Sequence, residues 1–451
     1  MTHAHKAVPM ISSICPPLNG SIRVPGDKSM SHRALMFGAL AEGETMISGL
    51  LEGEDVLNTA NAMRAMGAKI EKGSDGLWRC FGQGVGNLIE PVSVLDMGNS
   101  GTSTRLLMGI IASHPISACF TGDASLIKRP MGRVTIPLEQ MGASFITRAG
   151  GKPPFAVRGT GAAKAITYRL PVASAQVKSA ILLAGLNASG TTTVIESHPT
   201  RDHSENMLRH FGVKVDIAKT EDNVDSISIT GGQRLLGCAV DVPADPSSAA
   251  FPIVAALINQ GSEIKCFRVG INPRRIGLYE TLIEMGAEIE FEHKTIDAGE
   301  PIANIIIKST KPLKGVDVPA TRVPSMIDEF PILAIAAACA NGTTRMTDLA
   351  ELRVKESDRL LMVANGLKAC GVDLEMGEDW LTIHGTGKPP KGGVKIETAL
   401  DHRIAMSFLI LGTVTPEPIS IDDGSPINTS FPKFSEVMAE LGAKIAVQRS
   451  Q

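Results

Sequence analysis

Met66-Gly67-Ala68-Lys69-Ile70 is a short motif that recurs, in varied form, six times along the chain. Each copy follows a helix-like run and places a polar and then a hydrophobic residue after Gly-Ala or Gly-Val. Glycine just past a helix enters the left-handed region without a Cβ clash, and the alternation after it is typical of a strand. The motif therefore predicts six similar α/β units. Its glycines stand 70 to 85 residues apart: Gly67, Gly142, Gly212, Gly286, Gly371 and Gly442.

A second class of helix alternates with these and is apolar nearly all round. Such helices are buried, whereas the first class, such as Glu54–Met66 and Glu356–Cys370, is amphipathic and should lie outside them. Each unit is thus predicted as strand, helix, strand, helix, strand. The apolar helices are predicted over Lys28–Leu40, Gly101–Ile111, Ala175–Leu186, Ser247–Ile258, Ile327–Ala340 and Arg403–Leu411.

The six units divide naturally into two lobes of three, as the length of 451 residues favours. Asp241-Val242-Pro243-Ala244-Asp245 stands between the third and fourth units and is a candidate crossing. The strand-like Ser21-Ile22-Arg23-Val24 is expected to pair with the second lobe, which makes Pro25 a second crossing. We therefore predict residues 25–243 as the first lobe and residues 1–24 plus 244–451 as the second.

Composition argues against several classes of protein. A net charge of −3 gives no basic excess for nucleic acid. The apolar stretches are shorter than the ~20 residues that a membrane span takes. Seven cysteines without paired spacing argue against disulfides and a metal site. With no long apolar run in residues 1–14, we expect no signal peptide and a cytoplasmic protein.

Unusual polar residues stand where the apolar helices begin. Helix N-termini expose unpaired N–H groups and partial positive charge, and so bind phosphate and carboxylate. Lys28 is opposed by the helix dipole, so we expect an anionic ligand beside it. N-caps are the alternative reading at several of these starts, and we favour it for Ser247 and Ser248. The alternative applies to Asn99, Ser174, Ser247 and Asp328.

Cations recur in equivalent connections of the related units. A protein of net charge −3 that gathers them is expected to bind a small, multiply charged anion, and Arg suits bidentate recognition of phosphate and carboxylate. Asp328 and Glu356 lie among them, either as salt-bridge partners or as proton-transfer groups. The cations are Lys28, Arg33, Arg129, Arg201, Lys355, Arg359 and Arg403.

Five longer motifs carry a resemblance from about Pro25 onward: Pro25–Arg33 (PGDKSMSHR), Gly98–Arg105 (GNSGTSTR), Lys128–Arg133 (KRPMGR), Leu352–Arg359 (LRVKESDR) and Asp401–Phe408 (DHRIAMSF). In these the chain resembles the EPSP synthase family of enolpyruvyl transferases. The resemblance implies an α/β fold of two similar lobes, each of three βαβαββ units, known as an inside-out α/β barrel.

The implied reaction transfers the enolpyruvyl group of phosphoenolpyruvate to the 5-hydroxyl of shikimate 3-phosphate. It proceeds by addition and then loss of phosphate, in the shikimate pathway, with no cofactor and no metal. We expect a monomer whose partners are these two small molecules, and neither nucleic acid nor a membrane.

The resemblance also implies roles for individual residues. Asp328 would take the 5-hydroxyl proton, Glu356 would protonate the enol methylene, and Lys28 would assist protonation or phosphate departure. The expected contacts of shikimate 3-phosphate are Lys28, Ser29, Arg33, Ser174, Gln176, Arg201, Asp328 and Lys355. The expected contacts of phosphoenolpyruvate are Lys28, Gly101, Arg129, Gln176, Arg359 and Arg403.

Departures from the commonest family pattern point to a subclass. Ala175, Arg201 and Ser430 stand where many members have Ser, Tyr and Lys. Ser174–Lys178 (SAQVK) and Arg201–Glu205 (RDHSE) resemble instead the bacterial subclass that includes glyphosate-tolerant forms. Tolerant forms can carry Ala at the position of Gly101, so sensitivity to glyphosate stays open.

Two other functions remain as alternatives. A transferase acting on UDP-N-acetylglucosamine usually carries a reactive Cys before the Arg-Pro pair, but residues 122–128 contain none. A non-catalytic protein that sequesters a phosphorylated metabolite would bind ligand yet release no phosphate. A phosphate-loop NTPase is set aside because the chain lacks G-x-x-x-x-G-K-[ST].

Overall fold

The computed structural model describes residues 7–448 and divides into two compact units. The N-terminal unit comprises Lys28–Val242 together with Ile296–Glu300. The C-terminal unit comprises residues 7–27, Pro243–Thr295 and residues 301–448. Each unit has its own hydrophobic core. The excursion at residues 296–300 was not foreseen; it is held because Glu300 accepts hydrogen bonds from His203 and Asn206.

The repeats are variants of the order βαβαββ, which the second repeat shows in full. The second repeat runs through Leu95–Asp96, Gly101–Ala112, Ser117–Thr121, Gly132–Gln140, Ser144–Arg148 and Lys152–Arg158. The residue pattern alone predicted five elements and missed the last strand, which returns antiparallel to the strand after the glycine. The missed strand follows a turn at Gly150 and Gly151, and no recurring motif marks it.

The N-terminal unit contains three four-stranded sheets and one short strand pair. The last strand of the unit, Ala239–Asp241, pairs parallel with Glu44–Ser48 of the first sheet. The end of the unit is thereby joined to its beginning. In spatial order the sheets are Ala239–Asp241, Glu44–Ser48, Trp78–Phe81, Lys69–Lys72; Leu95–Asp96, Ser117–Thr121, Lys152–Arg158, Ser144–Arg148; and Thr167–Arg169, Thr191–Glu196, Asp225–Thr230, Val215–Lys219, with the pair Leu235–Leu236 and Ala41–Glu42.

The C-terminal unit is completed by the strands that open the chain. Asn19–Ile22 pairs parallel with Glu263–Gly270, which confirms the strand and partner expected before Pro25, although it ends at Ile22. Met10–Ser13 pairs antiparallel with two strands near the other end of the chain. The sheets are Glu288–Asp297, Glu300–Lys308, Glu263–Gly270, Asn19–Ile22; Asn341–Met346, Leu381–Thr386, Asp373–Met376; and Lys395–Ile396, Ile419–Ile421, Met10–Ser13, Lys444–Val447.

The apolar helices are buried, as their composition predicts, and the amphipathic helices are half-exposed. The buried helices are Lys28–Leu40, Gly101–Ala112, Ala175–Gly185, Pro246–Ile258, Phe330–Cys339 and His402–Leu411. The outer helices are Glu54–Ala65, Gly132–Gln140, His203–His210, Gly277–Glu284, Arg359–Ala369 and Phe434–Glu440. Short helical turns occur at Leu126–Lys128, Ala320–Arg322, Val323–Met326, Ala350–Val354 and Ser425–Thr429.

Two predicted helix starts were wrong. The fifth buried helix begins at Phe330 rather than Ile327, because Val323–Met326 forms a separate short helix and Pro331 suits a new first turn. The outer helix of the same repeat begins at Arg359, so Glu356 lies in the preceding loop. Both corrections place the candidate carboxylates Asp328 and Glu356 outside helices.

All six repeat glycines adopt the left-handed backbone that the recurring motif predicts, with φ between 86° and 109°. After each one the next N–H bonds to a carbonyl near the helix end; Ala68 donates to Met63 and Ala443 donates to Met438. This is the Schellman pattern, which satisfies carbonyls that the helix end would leave unpaired. Within residues 7–448 no helix is both long and apolar enough to cross a membrane.

Candidate active site

Lys28 is the first residue of the first buried helix, and its ammonium pairs with the carboxylate of Asp55. Asp55 lies in the first turn of the outer helix of the same repeat and is buried. The inference that Lys28 requires an external anion to offset the helix dipole is corrected here, because Asp55 supplies that negative charge. Lys28 keeps 29% of its side chain exposed, which leaves it accessible to a second anion.

Arg33 follows Lys28 by little more than one turn, but it points into the protein. Its guanidinium donates to the carbonyl of Ser29 and to the hydroxyls of Ser179 and Ser204, at 2.8 to 3.0 Å. Arg33 is buried, whereas Ser29 is partly exposed. The structure therefore places Arg33 as a link between three helices, with Ser29 on the more exposed side.

Gly101, Arg129 and Gln176 come together around a residue that the sequence analysis had not selected, Arg105. Gln176 accepts from Arg105 at 2.5 Å and donates to Thr102 at 2.9 Å. A Cβ on Gly101 would lie 3.1 Å from Arg129 Nη1 and 3.2 Å from Arg105 Nη1. A helix N-terminus flanked by two guanidinium groups is chemically suited to a carboxylate or phosphate.

Ser174 and Arg201 both belong to the third repeat of this unit. Ser174 is confirmed as an N-cap, since its hydroxyl accepts from the N–H of Val177. Arg201 is half-buried in the loop between Thr191–Glu196 and His203–His210.

The C-terminal unit gathers its candidates around Arg359, whose side chain is 1% exposed. Its Nε donates to Asp401 at 2.8 Å, its Nη1 to Asp328 at 3.3 Å and its Nη2 to Glu356 at 2.5 Å. Both predicted proton-transfer carboxylates thus share one guanidinium. Their side chains remain 16% and 28% exposed respectively.

Lys355 and Arg403 complete this cluster. Lys355 Nζ lies 3.5 Å from Asp328, and Arg403 donates to the carbonyl of Asp328 at 3.0 Å and to Glu329 at 3.2 Å. The carboxylates offset the mutual repulsion of three cations and orient them, which is how buried charges are stabilised in proteins.

Burial and charge shift several pKa values in the C-terminal unit. Burial opposes the charge of Arg359, but Asp401 and Glu356 outweigh it and raise the pKa of the guanidinium. Burial alone would raise the pKa of Asp401, yet the charge of Arg359 lowers it. Burial lowers the pKa of His402 to about 3, so this imidazole is neutral at pH 7. His402 is therefore not a cation of the site.

The N-cap reading favoured for Ser247 and Ser248 was wrong, and the alternative N-cap readings at Asn99 and Asp328 do not hold either. Ser100, not Asn99, caps the second buried helix. Asp245 caps the fourth by accepting from the N–H groups of Ser247 and Ser248, so these serines are not the caps. Burial and the nearby Asp27 raise the pKa of Asp245 to about 6. Asp328 is not the N-cap of the fifth buried helix, and its carboxylate pairs with Arg359 and Lys355.

Ser247 belongs to a buried polar chain. It donates to Glu329, which is bonded to Arg403, and it accepts from Arg275 at 2.9 Å. Arg275 also contacts Asp27 and Asp245 at 3.1 and 3.2 Å. In residues 7–448 no cluster of His, Cys, Asp or Glu is arranged to hold a metal ion.

Four contacting residues escaped the sequence analysis: Asp55, Arg105, Arg275 and Asp401. Arg105 and Asp401 lie inside quoted motifs, so for these two the position in the motif was an available signal. Asp55 gave none, because an acidic residue in the first turn of an amphipathic helix is ordinary.

Comparison with known proteins decides the family. The family model described as EPSP synthase (3-phosphoshikimate 1-carboxyvinyltransferase) matches residues 13–438. The chain belongs to the EPSP synthase family. The 3-phosphoshikimate 1-carboxyvinyltransferase of Paramagnetospirillum magneticum is 60% identical over 440 residues, which is 98% of each chain. That of Rhodospirillum rubrum is 57% identical over 435 residues, or 96% of each chain.

Solved structures agree with this EPSP synthase assignment. An EPSP synthase from Acinetobacter baumannii superposes with a TM-score of 0.89 at 48% identity, covering 98% of this chain and all of that one. The enolpyruvyl transferase NikO from Streptomyces tendae has a TM-score of 0.77 at 19% identity, covering 99% of this chain and all of the other, and shows the fold alone. The predicted fold class and family are confirmed.

Proposed function

We propose that this enzyme transfers the enolpyruvyl group of phosphoenolpyruvate to the 5-hydroxyl of shikimate 3-phosphate. The products are 5-enolpyruvylshikimate 3-phosphate and inorganic phosphate. The chain aligns over nearly the whole length of relatives that are named for this activity, which supports the proposal. The same alignment disfavours the UDP-N-acetylglucosamine alternative. The observation that carries it is the Arg359 cluster, where two partly exposed carboxylates share one buried cation.

In the proposed reaction the two carboxylates take the roles that the resemblance implies. Asp328 removes the 5-hydroxyl proton as the oxygen attacks C2 of phosphoenolpyruvate, and Glu356 delivers a proton to C3. Glu356 then takes a proton back from C3 as the bond between C2 and the phosphate oxygen breaks, which restores the double bond, and Asp328 releases its proton to solvent. Lys355 Nζ and Arg359 Nη1 lie 3.5 and 3.3 Å from Asp328 and hold its carboxylate in place for this role.

The two substrates are assigned to the residues that the resemblance implies. The guanidinium groups near Gly101 suit phosphoenolpyruvate, with Arg105 added to the predicted set. Arg129 would bind alongside Arg105, and Gln176 would be oriented by both Arg105 and Thr102. Ser29, Ser174, Arg201 and Lys355 are proposed for shikimate 3-phosphate. Arg33 acts in this proposal by holding Ser29 rather than through direct contact.

The test is phosphate release from phosphoenolpyruvate with and without shikimate 3-phosphate, measured in EDTA. We expect release only when shikimate 3-phosphate is present, and no effect of the chelator. Release that depends on UDP-N-acetylglucosamine would contradict the proposal. Ligand-induced melting shifts without any release would favour the non-catalytic alternative.

We further infer that the chain belongs to the bacterial subclass that includes glyphosate-tolerant forms but is itself inhibited by glyphosate. Gly101 bears on inhibition because it leaves space beside Arg129 and Arg105. Free thiols at all seven cysteines are consistent with a reducing cytoplasm. We also infer a monomer, since one chain carries every residue proposed for the reaction.

Gly101→Ala is expected to raise the inhibition constant for glyphosate by roughly 10-fold or more, with a smaller rise in KM for phosphoenolpyruvate. The new methyl group would lie 3.1 and 3.2 Å from two guanidinium nitrogens, so both side chains must shift. Steady-state inhibition measures both constants. Gly132→Ala is the matched control, because its Cβ would meet nothing within 4 Å. An unchanged inhibition constant in the Gly101 variant would refute the crowding argument.

A further inference from the structure

Lys178 is a fully buried lysine of the N-terminal unit that the proposed mechanism does not use. Its ammonium lies 2.7 Å from Glu205 and 3.2 Å from Glu196, and none of the three side chains exceeds 1% exposure. Burying three charges is expensive unless their geometry and hydrogen bonds compensate. A buried charged group of this kind, close to a candidate site, is expected to hold neighbouring elements in position.

The triad joins three elements that flank one loop. Lys178 lies on helix Ala175–Gly185, two residues beyond Gln176. Glu196 ends the strand before the loop, and Glu205 lies in the first turn of the helix after it. The six-residue loop between them carries Arg201.

A further contact fixes the loop from within. Thr200, which directly precedes Arg201, donates its hydroxyl to Glu196 at 2.7 Å. On the far side Ser204 donates to Ser179 at 2.7 Å, next to Lys178 on the same helix. Both ends of the loop are therefore tied to the helix whose N-cap is Ser174.

We propose that Lys178 is a positioning residue for shikimate 3-phosphate recognition: with Glu196 and Glu205 it clamps both ends of the Arg201 loop to the helix that carries Ser174 and Gln176. This inference rests on the proposed function, in which Arg201 and Ser174 bind the phosphorylated acceptor. A bidentate cation works only when its backbone is held in place, and a displacement of about 1 Å can cost on the order of 100-fold.

Two variants release the clamp without leaving an unbalanced buried charge. Glu205→Gln removes the charged tie at the far end of the loop, where the Ser204–Ser179 contact remains, while the Lys178–Glu196 pair stays balanced. The triple variant Lys178→Met, Glu196→Gln, Glu205→Gln removes every charge at similar volume, which is often neutral for stability. Each is compared with Arg201→Ala and with Arg201→Ala added to Glu205→Gln, in steady-state kinetics and thermal melting.

We expect Glu205→Gln to raise KM for shikimate 3-phosphate roughly 10-fold. KM for phosphoenolpyruvate should stay near its original value. If Glu205→Gln does not fold, the same result is expected of the triple variant. Arg201→Ala should also raise KM for shikimate 3-phosphate, and the combined variant should match the larger single effect, because both act through one side chain.

Three results would overturn the clamp. An unchanged KM for shikimate 3-phosphate in the clamp variants leaves Lys178 as a stabilising group only. If the fold-changes in KM of Glu205→Gln and Arg201→Ala multiply in the combined variant, the two residues act independently. A melting temperature that falls together with equal rises in both KM values also indicates a stability role. If Arg201→Ala itself leaves an active enzyme with unchanged KM, the acceptor assignment of Arg201 fails, which separates that error from a failure of the clamp.

Discussion

Replacing Lys28 by Met is expected to leave the protein folded and to reduce turnover by roughly 1,000-fold or more. The ammonium is the one full positive charge at the start of its helix, and 29% of the side chain is exposed. In the proposed reaction it assists protonation or the departure of phosphate, where negative charge develops. Met keeps the length of the side chain but supplies neither charge nor proton. Phosphate release in the presence of both substrates measures the loss.

The contact between Lys28 and Asp55 requires a control, since the substitution also removes the partner of a buried carboxylate. That loss should cost about 1–3 kcal/mol of unfolding free energy. Adding Asp55→Asn removes the unpaired charge, and the double variant should regain stability but not turnover. Lys214→Met, at a side chain 79% exposed, should change neither quantity. Recovery of turnover in the double variant would show that Lys28 serves the fold rather than the reaction.

Features that depend on local backbone chemistry could be predicted from the sequence. A glycine with positive φ closes each outer helix because only glycine enters that region without strain, so its spacing revealed the repeat. All-apolar helices can only be buried, so Lys28–Leu40 was predicted to the residue. The start of the fifth buried helix was missed because the apolar Ile327 lies in a turn between the short helix Val323–Met326 and the helix that begins at Phe330.

Features that depend on pairing between distant residues could not be predicted in the same way. The sequence shows that Lys28 and Arg359 are cations, but it does not show that Asp55 and Asp401 face them. Electrostatic offset of a buried charge is a property of three-dimensional proximity. Arg105 illustrates the limit, since its motif was recognised while its bond to Gln176 required coordinates.

Neutralising Asp328 and neutralising Glu356, the two carboxylates of the Arg359 cluster, should affect different proton transfers of the reaction. Asp328→Asn keeps an oxygen for Lys355 and Arg359 but removes the base that takes the 5-hydroxyl proton. We expect turnover to fall by roughly 100- to 10,000-fold, the usual range for loss of general base catalysis. Asp317→Asn, at a side chain 73% exposed in the same unit, is the matched control and should keep full activity.

Glu356→Gln should show a distinct signature in D2O. Deuterium enters recovered phosphoenolpyruvate only when the addition intermediate returns to substrates. Glu356 would remove the C3 proton both on that return and on loss of phosphate, so Glu356→Gln should slow exchange and turnover together and leave their ratio near its original value. Asp328 would return the proton to the 5-oxygen only on the way back to substrates, so Asp328→Asn should lower the ratio of exchange to turnover. The side chains of Glu356 and Asp328 are both partly exposed, 28% and 16%, so burial alone would not explain a difference between the two variants. A ratio that falls in Glu356→Gln but not in Asp328→Asn would reverse the assignment, near-normal turnover in Asp328→Asn would remove it, and the pair of ratios identifies which carboxylate moves which proton.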